Sequence, residues 1–157
     1  MDKKNLAIIG GGPGGYLAAL RAAQLGLSVV LFEQERVGGI CINVGCIPTK
    51  YLLHQTTIFH QLQADKNLEG PVGELRLNWQ KVQEGRQRVI DRLVKGLEFL
   101  LSKNEVEVIK GKARVTSPGE VTAWTSGGEI KFQADKIILA TGSRPADFPF
   151  LRFNGRE

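Results

Sequence analysis

The 157 residues amount to a single domain's worth of chain. An apolar content of 42% suffices for a core, whereas a net charge of +5 lacks the concentrated basicity of a nucleic-acid binder. No apolar run nears the roughly 18 residues of a membrane span. The start, MDKKNLAIIGGG, passes from basic residues straight into glycines, without the long apolar stretch and cleavage site of a secretory signal. These features point to a cytoplasmic protein, where two cysteines serve catalysis or metal binding rather than a structural staple.

Residues 5–9, NLAII, read as a short buried strand that stops at Gly10. Residues 13–25 have helical spacing and end at Gly26, a C′ cap. Residues 27–32 make a second buried strand, so the chain opens as a βαβ unit with a parallel sheet. The turn between the first strand and the helix, Gly10-Gly11-Gly12-Pro13-Gly14-Gly15, fits G-x-G-x-x-G. Gly10 makes the tight turn, Gly12 lets the backbone approach a pyrophosphate, and Gly15 lets helix and strand pack closely. The N–H groups of the helix start, around Pro13 and Gly14, then face the phosphates with a favourable dipole. Glu33 lies 18 residues past Gly15, where an acidic side chain binds ribose hydroxyls. A dinucleotide site follows from this context; a glycine-rich structural turn is the plainer alternative.

Residues 38–47 read as loop, and Pro48 suits the first turn of a helix that runs to about Gln63. Residues 64–77, with Gly70, Pro71 and Gly73, form a polar connector. Asn78 can cap a long helix from 79 to about 101. Val82, Val89, Ile90, Leu93, Val94, Leu97 and Leu100 supply its apolar face. Arg86, Arg88, Arg92, Lys95 and Lys103 lie largely off that face, as a solvated basic surface or a docking surface for an acidic partner. Strands at 106–115, 120–124 and 130–134, separated by Ser117-Pro118-Gly119 and Gly127-Gly128, read as a small antiparallel meander. KIILA, 136–140, stops at Thr141-Gly142 and returns to the parallel sheet.

Cys41 and Cys46 are five residues apart. In a regular helix that is about 7.5 Å of rise, against the roughly 4.4–6.8 Å between Cα atoms that a disulfide needs. Pairing requires a bend, which Gly45 is placed to allow. Cys46 sits just before the helix that Pro48 opens, where the dipole favours a thiolate. This arrangement suits a redox-active pair. The alternatives are a structural disulfide and a zinc site from Cys41, Cys46, His54 and His60. The latter has no standard ligand spacing, and the two histidines are more simply helix residues, so no metal is expected.

GGICINVGCIPTK, residues 38–50, meets the pattern G-G-x-C-x-N-x-G-C-x-P-x-K through Gly38, Gly39, Cys41, Asn43, Gly45, Cys46, Pro48 and Lys50. With the glycine loop and Glu33, it resembles the FAD-dependent pyridine nucleotide–disulfide oxidoreductases. IILATGSRP, 137–145, is similar to that family's second FAD-domain strand and the turn after it. The resemblance implies an α/β, Rossmann-like FAD-binding domain with a parallel sheet and a small antiparallel β-meander insertion. Its first segment would be residues 1–145, with 146–157 a linker toward an NAD domain. It implies that Cys46 is the thiolate lying against the flavin and that Cys41 is the thiol that meets the substrate disulfide. Lys50 would sit near flavin N5 and tune it electrostatically. Glu33 would hold the adenosine ribose, and Ala113 would touch the adenine end through its backbone. Thr141, Gly142 and Ser143 would line the cofactor, and Gln34, Gly38 and Gly39 would join them as cofactor-binding positions.

Within the family, Thr49-Lys50, GGGPGGYLAA and NEVEVIKGKARV are similar to the branch that oxidises dihydrolipoamide. The implied reaction passes electrons through Cys41 and Cys46 to FAD and then to NAD⁺. The implied partners are a lipoyl-bearing protein of a 2-oxoacid dehydrogenase or glycine cleavage complex and a second copy in a homodimer, with neither nucleic acid nor membrane. Mercuric and glutathione reductases are the neighbouring branches. An FAD-holding or dithiol-carrier module without full turnover is the alternative of another class. Family members run to several hundred residues, with a second G-x-G-x-x-G, a later aspartate near the ribityl chain, and a histidine–glutamate base supplied across the dimer. None of these stands in this chain. It is therefore expected to be an N-terminal portion, inactive alone, with a naturally short protein as the other possibility.

Overall fold

Glycine-bounded apolar runs alternating with an amphipathic stretch give the chain its β-α-β opening. The computed structural model describes residues 2–67, 75–144, 146, 148 and 150. Strand β1 spans Asp2–Ile9, helix α1 Pro13–Gln24 and strand β2 Val29–Glu33. The strands pair in parallel, with Leu6 opposite Val29 and Ile9 opposite Phe32. Pro13 stands at the start of α1, where a missing N–H costs nothing. Gly26, at φ +83°, ends the helix in the left-handed conformation expected of a C′ residue.

Two short-range expectations change in the next segment. Residues 38–47 are not all loop: α2 spans Gly39–Asn43, and α3, Cys46–Ala64, begins two residues before Pro48. Proline within a first turn removes no helical hydrogen bond, so the helix extends backward past it to Gly45. Gly70, Pro71 and Gly73 of the expected connector lie outside the described residues, as does most of the expected linker at 146–157. Helix α4, Trp79–Lys103, is capped as expected, Asn78 Oδ1 accepting from the Lys81 amide at 3.0 Å. Its buried stripe is Val82, Gly85, Ile90, Val94, Leu97 and Leu101. Leu93 and Leu100, expected inside, are 39% and 47% exposed, because the i, i+4, i+7 row from Ile90 runs to Leu101 instead. Arg88, Arg92, Lys95 and Lys103 are exposed as expected, and Arg86 is half-buried.

The last four strands are β3 Glu107–Lys110, β4 Lys112–Ser117, β5 Glu120–Thr125 and β6 Gly128–Leu139. The expected strand at 106–115 is thus two, broken at Gly111. Strand β3 pairs in parallel with β2, and only β4 belongs to the antiparallel meander. The expected strands at 130–134 and 136–140 are one 12-residue strand, β6. Its first half pairs antiparallel with β5 and its second half parallel with β1. All six strands form one sheet in the order β3-β2-β1-β6-β5-β4.

The two ends of that order, β3 and β4, are separated by Gly111 alone, so the sheet folds over on itself. A Cβ on Gly111 would strike the Trp124 carbonyl oxygen. Between the folded halves, Ala7, Ile9, Val30 and Phe32 pack on Val121, Ala123, Phe132 and Ala134. Phe32 and Phe132 meet edge to face, with ring centroids 5.4 Å apart. On the opposite face, Leu6, Ile8, Val29 and Leu31 pack against Ala19 and Ala22 of α1 and Ile90, Val94, Leu97 and Leu101 of α4. Both faces of β1 and β2 are covered, which is why these strands read as unbroken apolar runs. Among the described residues, no helix is long and apolar enough to cross a membrane.

Candidate functional site

The C-terminal ends of β1, β2 and β6 converge on the start of α1, where a parallel α/β sheet ordinarily binds ligands. A cavity of about 1490 Å³ opens there, larger than the roughly 300–1,000 Å³ of most small-molecule sites. The glycine loop forms one wall. Gly10 has φ +105°, and a Cβ there would collide with the Ala140 carbonyl oxygen. Its amide donates to the Phe32 carbonyl at 2.8 Å. A Cβ on Gly15 would strike the Gly10 carbonyl oxygen, so this glycine sets how closely α1 packs on the loop. At Gly12 a Cβ would meet only the Gly39 Cα, at 3.8 Å, which leaves the backbone open to the cavity.

Glu33 ends β2 beside this loop. Its Oε2 accepts from the Gly11 amide at 2.7 Å and its Oε1 from the Glu35 amide at 2.8 Å. Each oxygen keeps acceptor capacity for a further donor. The carboxylate is therefore a strut of the loop as well as a cavity wall, a double duty that spacing alone did not reveal.

Cys41 lies in α2 and Cys46 is the first residue of α3. Their sulfurs are joined in a disulfide, with Cα atoms 4.6 Å apart. The bend that permits this is the junction of the two helices, where the Val44 and Gly45 amides both donate to the Ile40 carbonyl at 3.0 and 2.7 Å. The zinc alternative loses both thiolates to the disulfide. Among the described residues, no group of three or more histidine, cysteine and carboxylate side chains could hold a metal ion.

Gly10, Gly12, Pro13, Gly14, Glu33, Gln34, Gly39, Cys41, Cys46, Thr141, Gly142 and Ser143 all line the one cavity. Four expected positions do not. Gly15 is buried in the first turn of α1, and Gly38 is in the turn before α2, its amide donating to the Gly11 carbonyl at 2.8 Å. Lys50 is exposed on α3, and Ala113 is half-buried in β4 opposite Ala123. The cavity also draws in Arg36, Asn43, Gln87 and Ile90. Arg36 Nη2 donates to Asp91 Oδ1 at 2.9 Å, and Gln87 Nε2 donates to the same oxygen at 3.0 Å. The Arg36 hydrogen bond, and next that of Gln87, hold the Asp91 carboxyl below its usual range. Asn43 carried a signal as a fixed letter of the cysteine pattern. Arg36 and Gln87 carried none, since their contacts depend on how α4 docks.

The family model for pyridine nucleotide-disulphide oxidoreductases matches residues 4–156. Dihydrolipoyl dehydrogenase of Bacillus subtilis is 41% identical over 152 residues, covering 96% of this chain and 33% of that protein. The enzyme of the same name from Zymomonas mobilis is 40% identical over 157 residues, covering 99% of this chain and 34% of that protein. A solved structure, the Cu(II) complex of the HOCl-induced flavoprotein disulfide reductase RclA from Escherichia coli, superposes with a TM-score of 0.80 at 26% identity. It covers 95% of this chain and 31% of that one. The chain spans about a third of the length of the curated relatives it matches. With its parallel sheet, glycine loop and paired cysteines in that setting, the chain belongs to the pyridine nucleotide-disulphide oxidoreductase family.

Proposed function

We propose that the chain is the N-terminal, FAD-holding portion of a dihydrolipoyl dehydrogenase-type disulfide oxidoreductase. One observation carries this reading: the Cys41–Cys46 disulfide opens onto the same cavity as the dinucleotide loop and Glu33. The residues fit FAD. The open backbone at Gly12 and the start of α1 at Pro13 and Gly14 suit a pyrophosphate. The spare acceptor capacity of Glu33, with Gln34 beside it, suits ribose hydroxyls. Thr141, Gly142 and Ser143 line the facing wall. Gly38 and Gly39 carry the redox segment against the loop. Lys50, one turn beyond Cys46, and Ala113 do not line the cavity, so their places near the flavin and the adenine rest on the resemblance alone. When bound, FAD supplies an acceptor for the electron pair that the dithiol releases.

The protein's own step is thiol–disulfide exchange. One thiolate of a dihydrolipoyl substrate attacks Cys41 Sγ, forming a mixed disulfide and expelling Cys46 as thiolate. The substrate's second thiolate then displaces Cys41, so the substrate leaves as a disulfide and the cysteine pair gains two electrons. The two substrate thiol protons pass to bases or solvent. Cys46, first in α3, leaves readily because the helix N-terminus favours its negative charge. In this reading residues 1–145 begin the FAD domain, and the following residues lead toward an NAD domain. The whole enzyme is a homodimer that serves a lipoyl-bearing protein and passes electrons to NAD⁺.

The test is to mix the purified chain with FAD, desalt it, and record the visible spectrum. A retained flavin band that bleaches when dihydrolipoamide is added supports the reading. A chain that is folded by circular dichroism yet takes up no flavin overturns its FAD assignment. Retained flavin with a disulfide that dihydrolipoamide leaves intact even at a pH where its own thiols ionise, and so need no base, removes the dihydrolipoamide assignment.

A further inference from the structure

Asn43 ends α2, two residues after Cys41. Its Nδ2 points at three backbone carbonyls of the preceding turn: Gly39 at 3.0 Å, Val37 at 3.2 Å and Arg36 at 3.5 Å. Its Oδ1 is buried with no hydrogen-bond partner among the described residues. A buried acceptor left without a donor is uncommon and calls for a compensating role. That role is visible at the other end of the amide. The turn it grips is fastened on its far side to the dinucleotide loop, through the Gly38 amide and the Gly11 carbonyl at 2.8 Å. Gly39 lies so close to the loop that a Cβ there would come within 2.7 Å of the Gly12 Cα. One side chain thus ties the helix that carries Cys41 to the loop that shapes the cavity.

Helix α2 has a second tie, the disulfide to Cys46. Reduction removes that tie and leaves the Asn43 amide. We propose that Asn43 is a positioning residue for Cys41, which keeps α2 docked in the dithiol state and so holds the two sulfurs within reach for re-oxidation. This rests on the reading of Cys41 and Cys46 as a redox pair. Asn43 takes no part in bond making; it acts on the effective concentration of one thiol toward the other. Without it, the reduced chain relaxes into arrangements with α2 undocked, while the oxidised chain must keep α2 in place without the amide's hydrogen bonds. The balance then shifts toward dithiol.

The experiment equilibrates the full 157-residue chain in glutathione buffers of graded ratio, traps free thiols by alkylation, and counts them by mass. Asn43→Leu keeps the size and removes the donors. It is expected to lower the equilibrium constant for disulfide formation about tenfold, which moves the midpoint potential up by about 30 mV. By linkage its melting temperature should fall more in the oxidised form than in the reduced form, because a disulfide that forms less favourably in the folded chain adds less to its stability. An unchanged potential with equal losses of melting temperature in both forms would make Asn43 merely structural and overturn the inference. If Asn43→Leu fails to fold, Asn43→Asp serves. Its carboxylate repels the three carbonyls, and its protonated form can donate to one of them. Disulfide stability in that variant should therefore recover toward wild type as pH falls, beyond any pH dependence of the wild type. No such recovery sinks the proposal. A wild-type disulfide that never exchanges with glutathione removes the redox reading beneath it, a failure distinct from the loss of Asn43's role alone.

Discussion

Glu33 shows how far a single residue could be read in advance. Its distance from Gly15 marked it as a ribose partner, and it does line the cavity. That both carboxylate oxygens already hold backbone amides, of Gly11 and Glu35, depended on the loop's path and left no mark in the spacing. Glu33→Gln separates the two duties. The glutamine keeps one acceptor and turns an NH₂ toward the other amide, so the free protein should lose about 1.5–3 kcal/mol in urea unfolding, the scale of a hydrogen bond to a charged group. FAD affinity should fall as well, measured by flavin fluorescence. Unchanged stability would mean that the carboxylate does not support the loop. The glycines were legible because their demands are local: Gly10 needs a left-handed backbone and Gly15 a missing side chain. Lys50 and Ala113 were named only through resemblance, and neither reaches the cavity lining. Arg36 and Asp91 meet across 55 residues of sequence, a distance over which no pattern speaks.

At the scale of elements, periodicity located the strands and the longer helices but neither the five-residue α2 nor the joints between strands. Asp135 stood alone between the two expected strands, at 130–134 and 136–140. In the structure Asp135 accepts from Lys3 Nζ at 3.0 Å and from Asn5 Nδ2 at 3.3 Å, so the polar step is satisfied by the neighbouring strand and β6 runs through it. Gly111 posed the reverse problem. A glycine inside an apolar run signals a close backbone approach, yet the run 106–115 read as one strand. The glycine is the corner at which the chain leaves one edge of the sheet and starts the other. The Gly111 amide donates to the Glu33 carbonyl at 2.9 Å, and its α-carbon lies against the Trp124 backbone. Gly111→Val should therefore cost about 2–3 kcal/mol in denaturant unfolding, the upper part of the usual range for single substitutions. The meander is expected to separate from the parallel half, seen as faster amide exchange in β4 and β5. A variant as stable as wild type would show that the corner has room that the backbone contacts deny.

For the whole molecule, the α/β class and the mixed sheet were legible, because a covered parallel strand and an antiparallel ribbon have different patterns. How the sheet closes on itself was not, since that follows from the shared strand β6 and the one-residue corner. Two exposed ion pairs tie neighbouring elements to one another. Arg36–Asp91, at 2.9 Å, links the turn after β2 to α4, and Lys3–Asp135, at 3.0 Å, links β1 to β6. Each carboxyl is held below its usual range, first by the hydrogen bond from its basic partner. A carboxyl whose folded pKa lies below its unfolded value, about 3.9, adds stability above that pH. The contribution is lost as pH falls through the folded value. Acid should therefore weaken both ties together. Both pairs face water, so the effect is small and screened by salt. At low ionic strength the urea midpoint is expected to drop below about pH 4 more steeply in the wild type than in the Asp91→Asn, Asp135→Asn double variant. In about 1 M salt, where the screening length is near 3 Å, the two profiles should converge. Parallel profiles at low salt would show that neither pair contributes to stability, and that the apolar layers suffice.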